Sequence, residues 1–222
     1  NLDAQINLGG ILYEQGRPND AASVIYPALK PQRHHPIGWF LLGISLREMG
    51  KKQEAIGCLH RAHQQDPNNA EPLLELGGLL LEYPKESIQC FQTGLARNPN
   101  HHYLRFQLAV LYAILGEQEE STSLMRQLPA DACAPWIDSW NYVCEHRTPQ
   151  TRFFGSQMEI LAYAATQATQ HQLVLELGVR FGTSLRYLQQ QLQCEVHGFD
   201  SFQGLPMDWH EVPQGSYSTG GQ

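Results

Sequence analysis

Apolar residues return through the first 130 positions in a helical rhythm that glycine and proline break at fixed intervals. Leu8-Gly9, Leu42-Gly43 and Leu76-Gly77 recur at spacings of 34 and 34, and Leu108-Ala109 follows 32 later. The second unit is clearest: Trp39, Leu42, Gly43, Leu46, Gly50, Ala55, Leu59, Ala62 and Pro67. The first repeats it with Leu12, Gly16, Ala21, Ile25 and Ala28, the third with Leu73, Leu80, Phe91, Gly94 and Pro99, and the fourth with Tyr112, Gly116, Ser121 and Met125. Each unit predicts two helices joined at a break. Small residues (Gly9, Gly43, Gly77 and Ala109; Ala21, Ala55, Ser87 and Ser121) fall where the two helices must approach closely. Pro67 and Pro99 end the second helix of their units, because proline has no N–H to donate. One helix pair cannot bury its own apolar face, whereas stacked pairs can. The third unit is two residues short between Leu80 and Ser87, with Pro84 where a glycine is expected, which predicts a tighter turn there.

The period resembles the tetratricopeptide repeat, and the second unit matches nearly every marked position of that pattern. The resemblance implies an α-helical solenoid over residues 1–130 whose inner helices form a concave face for a protein or peptide partner. Ile6, Phe40, Leu74 and Phe106 share one inner-helix position. Two readings stay open for them: packing between adjacent helices, or an apolar groove. The chaperone-tail-binding branch of the family places Lys and Asn on that face to hold a carboxylate. Those residues are absent here, so that activity is not carried over.

Beyond residue 129 the period is lost. Pro129, Pro135 and Pro149 punctuate a helical stretch over residues 131–170, in which Trp136, Trp140 and Val143 share one face. Packing explains this tryptophan pair better than a cofactor box does. Charge shifts as well: residues 1–130 carry 11 basic and 13 acidic side chains, and residues 131–222 carry 4 and 9. The expected organisation is therefore repeats over 1–130, a helical linker over 131–170, and a separate domain from 171 to 222.

In that last part, Gln172 to Leu177 reads as a buried parallel strand, Gly178 to Ser184 as a glycine-bearing turn, Leu185, Leu188 and Leu192 as a helix, and Cys194 to Phe199 as a second strand ending at Asp200. A dinucleotide site needs G-x-G-x-x-G, but Arg180 stands where the second glycine would be. The E-x-G-x-x-x-G-x-S pattern from Glu176 to Ser184 instead resembles the first motif of class I S-adenosylmethionine-dependent methyltransferases. Gly198-Phe199-Asp200-Ser201-Phe202-Gln203-Gly204-Leu205-Pro206, with Trp209 and Tyr217 to Gly221 beyond it, resembles the macrocin O-methyltransferase-type branch.

That resemblance implies the start of an α/β Rossmann-like domain and an enzyme that methylates oxygen. S-adenosyl-L-methionine would be its cofactor, and a small-molecule or carrier-linked hydroxyl compound the acceptor. It would place Gly178 and Gly182 beside the cofactor, Glu176 near the methionyl ammonium, Ser184 at the helix start or the methionyl carboxylate, Asp200 on the ribose hydroxyls, and Ser201 and Phe202 along the adenine. Relatives of this branch hold a divalent metal on carboxylates further downstream, which here would fall past Gln222. No catalytic base is assigned; His197 and His210 are weak candidates. The alternative is a non-catalytic tetratricopeptide adaptor with a remnant nucleotide-binding-like segment.

Composition narrows these expectations. A net charge of −7 disfavours binding to a nucleic-acid backbone, and no apolar run is long enough to span a membrane. Five cysteines without a C-x-x-C pair fit a reducing cytoplasm. Cys58 and Cys90 hold equivalent repeat positions, so packing explains them. His60 and His63 lie one helical turn apart with no third ligand nearby, so no metal site is assigned. The first residue is Asn1, and the chain is expected to be a segment of something longer. Two parallel strands and one helix would leave an apolar face bare unless the segment docks on the helical part.

Overall fold

The computed structural model describes residues 1–31, 34–168, 173–207, 212–216 and 218–219. Successive helices run α1 (Leu2–Glu14), α2 (Pro18–Leu29), α3 (Pro36–Glu48), α4 (Lys52–Gln65), α5 (Glu71–Leu79), α6 (Pro84–Arg97), α7 (His102–Leu115) and α8 (Gln118–Met125). They form the helix pairs of a tetratricopeptide-like stack. Then come α9 (Ala130–His146), α10 (Gln157–Gln167), β1 (Val174–Leu177), α11 (Thr183–Leu192) and β2 (Val196–Phe199). No described helix is long and apolar enough to cross a membrane.

Two compact units divide the chain: one holds Asn1–Arg33, Ile44–Ala55 and Ser156–Gln222, the other His34–Gly43 and Ile56–Gly155. In the second unit, α5 and α6 meet where Gly77 faces the ring of Phe91, which is 1% exposed. The hydroxyl of Ser87, also buried, donates to the Gly77 carbonyl at 2.6 Å. A small residue on each helix thus lets the backbones close and satisfies a carbonyl that a larger pair would strand. Phe91 joins Ala70, Leu104, Leu108 and Leu111 in the core. Each such buried aromatic or aliphatic side chain contributes about 1.5–3 kcal/mol of transfer free energy. His101 caps α7 by accepting from the Leu104 N–H at 3.1 Å, and Gly116 ends that helix with a φ of 89°.

The expected tight turn in the third repeat is not observed. Residues 80–83 make a longer connection than residues 116–117 of the fourth repeat, and the two missing positions come out of α5 instead. Proline supplies the reason. Pro84 sits at the first position of α6, where its fixed φ suits the helix and no N–H is needed, so α6 cannot begin earlier. The chain reaches Pro84 through a turn closed by the Tyr83 N–H on the Leu80 carbonyl at 2.8 Å.

In the first unit, α1 and α2 close where Gly9 lies against Ile25, with Ile6, Ala21 and Leu29 buried beside them. The turns ending α1 and α3 receive the C-terminal segment. The Arg180 guanidinium lies against Gly16, the Tyr187 ring against Gly50, and Lys52 Nζ sits 2.5 Å from Glu159 Oε1. Burial and the Glu159 carboxylate push the Tyr187 hydroxyl above its ordinary pKa. β1 and β2 pair in parallel across α11, with Val174 opposite Val196 and Leu177 opposite Phe199. One face packs on α11, where Gly198 lies against Val179 and Leu185. On the other, Leu175, Leu177 and Phe199 stay exposed, Leu177 at 79%. The strand, glycine turn, helix and second parallel strand expected from residue 171 are present as β1, α11 and β2, but they do not by themselves show a Rossmann-like methyltransferase domain. Among the described residues the sheet has two strands, in the order β1-β2.

Candidate functional sites

Two regions were singled out by the sequence: the glycine-bearing turn after β1, and the first helices of the repeats.

At the turn, the seven residues assigned to a cofactor lie close together, and they bond chiefly to one another and to nearby backbone. Gly178 donates its N–H to the Phe199 carbonyl at 2.8 Å and takes a φ of 85°, which joins the turn to β2. Gly182 caps α11 in the left-handed region, at φ 68° and ψ 28°. Ser184 is turned inward, and its hydroxyl donates to Glu176 Oε1, while Glu176 Oε2 is buried without a hydrogen-bond partner.

Asp200 is the keystone of this arrangement. Its Oδ2 accepts the Arg180 N–H at 2.7 Å, and its Oδ1 accepts the Phe202 N–H at 2.7 Å. Arg180 and Phe202 both adopt left-handed φ angles, 49° and 58°, which cost a non-glycine residue on the order of 1–2 kcal/mol each. The carboxylate compensates both. The N–H groups of Arg180 and Phe202, then those of Val179 and Ser201, hold its pKa below the ordinary aspartate value. Ser201 accepts the Gln203 N–H at 3.2 Å, and the Phe202 carbonyl accepts from Ser218 Oγ at 3.0 Å.

The strand-end acid therefore has a structural occupation that its position in the sequence does not reveal. Both Asp200 oxygens accept backbone N–H groups and Ser184 is turned onto Glu176, so these residues brace the turn. No step through an adenosyl cofactor is derived from them. A cavity of about 480 Å³ lies beside the turn, lined by Tyr13, Glu14, Glu48, Met158, Arg180 and Ser184 among others. Arg180 was noted in the sequence only as a missing glycine, and nothing in its residue type announces a left-handed backbone. Trp209, His210, Tyr217, Gly220 and Gly221 fall outside the described residues.

Among the described residues no three His, Cys, Asp or Glu side chains converge to hold a metal ion. Burial, then the neighbouring His60 and Arg97, push the His63 pKa down.

On the repeats, Trp39, Leu42, Leu46, Ala55, Leu59 and Ala62 are buried as the repeat pattern requires, and the Arg61 guanidinium covers the Trp39 ring at 4.7 Å. Ile6 is fully buried, whereas Phe40, Leu74 and Phe106 are half-buried. Ile37 and Tyr103 lie one turn before Phe40 and Phe106 on the first helices of their pairs. Ile37 is 59% exposed and Tyr103 37%. Trp136 of α9 packs on Tyr103 and Phe106, with ring centroids 5.0 and 5.9 Å away. Trp140 packs on Phe153 at 6.0 Å. Both tryptophans are thus packing residues.

The tetratricopeptide repeat family matches residues 36–69, the unit whose pattern is clearest. The chain thus carries a tetratricopeptide repeat over these residues. Over 69 residues, 31% of this chain, it is 35% identical to peroxisome biogenesis protein 5 of Arabidopsis thaliana, but the match spans only 10% of that protein. Among solved structures it is similar in fold to MamA, with a TM-score of 0.54 at 20% identity over 57% of this chain and 75% of that one. It is also similar to YrrB, described as a tetratricopeptide protein with an unusual peptide-binding site, with a TM-score of 0.51 at 19% identity over 57% and 66% of the two chains.

These matches overturn the expectation of an S-adenosylmethionine-dependent methyltransferase. They place the chain with repeat proteins, and the residues that motivated the enzyme reading staple a turn. The hydroxyl acceptor expected with that activity has no support either.

Proposed function

We propose that the protein is an interaction scaffold whose repeat helices recruit a protein or peptide partner. The observation that carries this reading is the pair Ile37 and Tyr103. They occupy equivalent repeat positions, one turn from half-buried aromatic residues; Ile37 is open to solvent, and Tyr103 keeps 37% of its surface exposed although Trp136 lies on its ring. Packing alone gives no reason to keep a β-branched aliphatic and a tyrosine exposed at the same recurring position, whereas a contact surface does. The fold likeness to YrrB and the sequence match to a plant peroxisome biogenesis protein support the same reading.

The test begins with affinity capture on the full chain and continues with the captured component purified and titrated directly. Ile37→Asp and Tyr103→Ala are expected to weaken that binding at least tenfold while leaving the thermal midpoint within a few degrees of the parent. A purified component that binds both variants as well as the parent, or the absence of any direct binding, would overturn the proposal.

A further inference from the structure

The Tyr103–Phe106 face is already covered by part of the same chain. Trp136 of α9 lies on both rings, tilted by 60° and 38° to them. The hold is narrow, however. Of the seventeen residues of α9 only Cys133 is buried, while α7 beneath it buries Leu104, Leu108, Ala109, Leu111 and Ala113. Pro135 stands inside α9 and removes one backbone donor, and no side chain caps the start of the helix at Pro129. Tyr142 is 64% exposed and stacks on His146 of the same helix. An element held by two tryptophans and a cysteine at one edge, with a proline in its own ladder, has the features of segments that open locally without global unfolding.

We propose that α9 is a tethered occupant of the repeat face, and that the partner this face accepts is a helical segment presenting an aromatic side chain where α9 presents Trp136. The inference rests on the scaffold reading and adds the chemistry of the partner. It also adds a competition: a tethered segment acts at a high effective concentration, so a free segment must displace it, and whatever lifts α9 strengthens partner binding. The aromatic contact is sequence-tolerant but demands a flat ring at one place, which makes Trp136 the anchor and the rest of α9 a carrier.

The probe is a fluorescein-labelled peptide of residues 130–147 of this chain, titrated by anisotropy into the full-length protein. The parent should bind it weakly. The Trp136→Ala chain should bind it at least tenfold tighter, a peptide carrying the same substitution should lose that binding, and Trp136→Ala combined with Phe106→Ala should lose it too. Phe153→Ala loosens the far end of α9 at Trp140 without touching α7, so it answers the same question if circular dichroism shows Trp136→Ala to be unfolded; it should also bind more tightly than the parent. Equal affinity of the parent and both variants, or no binding to any of them, would overturn the proposal. Such a failure beside retained Ile37- and Tyr103-dependent binding of a captured component would remove the tethered occupant and leave the scaffold reading. Loss of that binding dependence would remove the scaffold reading itself.

Discussion

Placing one methyl group at Gly77 tests how closely α5 and α6 approach. A Cβ built there lies 2.6 Å from two ring carbons of Phe91, inside van der Waals contact. The ring cannot withdraw, because it is 1% exposed and packed in one core with Leu104 and Leu108. The helices must therefore separate, at a cost of about 1–3 kcal/mol for an overpacked core. Separation also stretches the bond from Ser87 Oγ to the Gly77 carbonyl, 2.6 Å in the closed pair and worth about 0.5–1.5 kcal/mol. Against this, alanine gains about 0.8–1 kcal/mol over glycine as a helix former. The expected net is a destabilisation of about 1–2 kcal/mol for Gly77→Ala. Gly57, in α4, is the matched control, because a Cβ there meets nothing within 4 Å and Gly57→Ala keeps only the propensity gain. The same substitution thus has opposite signs at two helical glycines. Urea unfolding of the full chain, followed by circular dichroism, separates them: with a slope of about 2 kcal/mol per molar, the Gly77→Ala midpoint falls by about 0.5–1 M while that of Gly57→Ala rises by somewhat less. If both midpoints rose, the α5–α6 contact described here would be wrong.

Ser87→Ala strands the buried Gly77 carbonyl and is expected to cost about 1–3 kcal/mol in the same urea assay; no change would mean that the carbonyl finds another donor. Asp200 carries a pH signature. Its folded pKa lies below the ordinary 3.8, so the stability it lends is present above that value and is lost as the pH falls through the lower one. The amide resonances of Arg180 and Phe202 should therefore titrate together below pH 3.8 in the parent and stay flat in Asp200→Asn; a titration common to both proteins would contradict the bonding. Among the cysteines, Cys144 and Cys194 are exposed, Cys58 and Cys133 are buried, and burial, then Glu86, pushes the Cys90 thiol up to about 11. Ellman's reagent should label Cys144 and Cys194 quickly at pH 8, with Cys90 unreacted until the protein unfolds.

What could be read in the sequence follows from which interactions leave a trace in residue type. Close helix contacts do. A glycine opposite a phenylalanine at a fixed period marked the α5–α6 approach, and Pro67 and Pro99 lie just past the ends of α4 and α6. The shortened α5 was misread as a tight turn, because the number of residues between two markers does not say which side of a helix end they leave, and only the demand of Pro84 for the first helical position decides it. The tryptophan face of α9 was legible from its spacing, but its partner on α7 was not, since nothing local connects residue 136 with residues 103 and 106. Asp200 was legible as a strand-end acid, but its bonds to the Arg180 and Phe202 backbone were not. Every residue but proline carries a backbone N–H, so a carboxylate occupied by two of them looks in sequence like one waiting for a ligand.

The recruiting face can be interrogated at one atom's reach by replacing Tyr103 with p-benzoylphenylalanine in the full chain and mapping the photo-crosslinks by mass spectrometry. Without a partner, crosslinks should run from position 103 to residues 130–147, where Trp136 lies 5.0 Å from the tyrosine ring. With the purified partner added, they should move to a segment of that partner bearing an aromatic side chain. A partner that binds while the crosslinks stay on residues 130–147 would show that recruitment happens elsewhere.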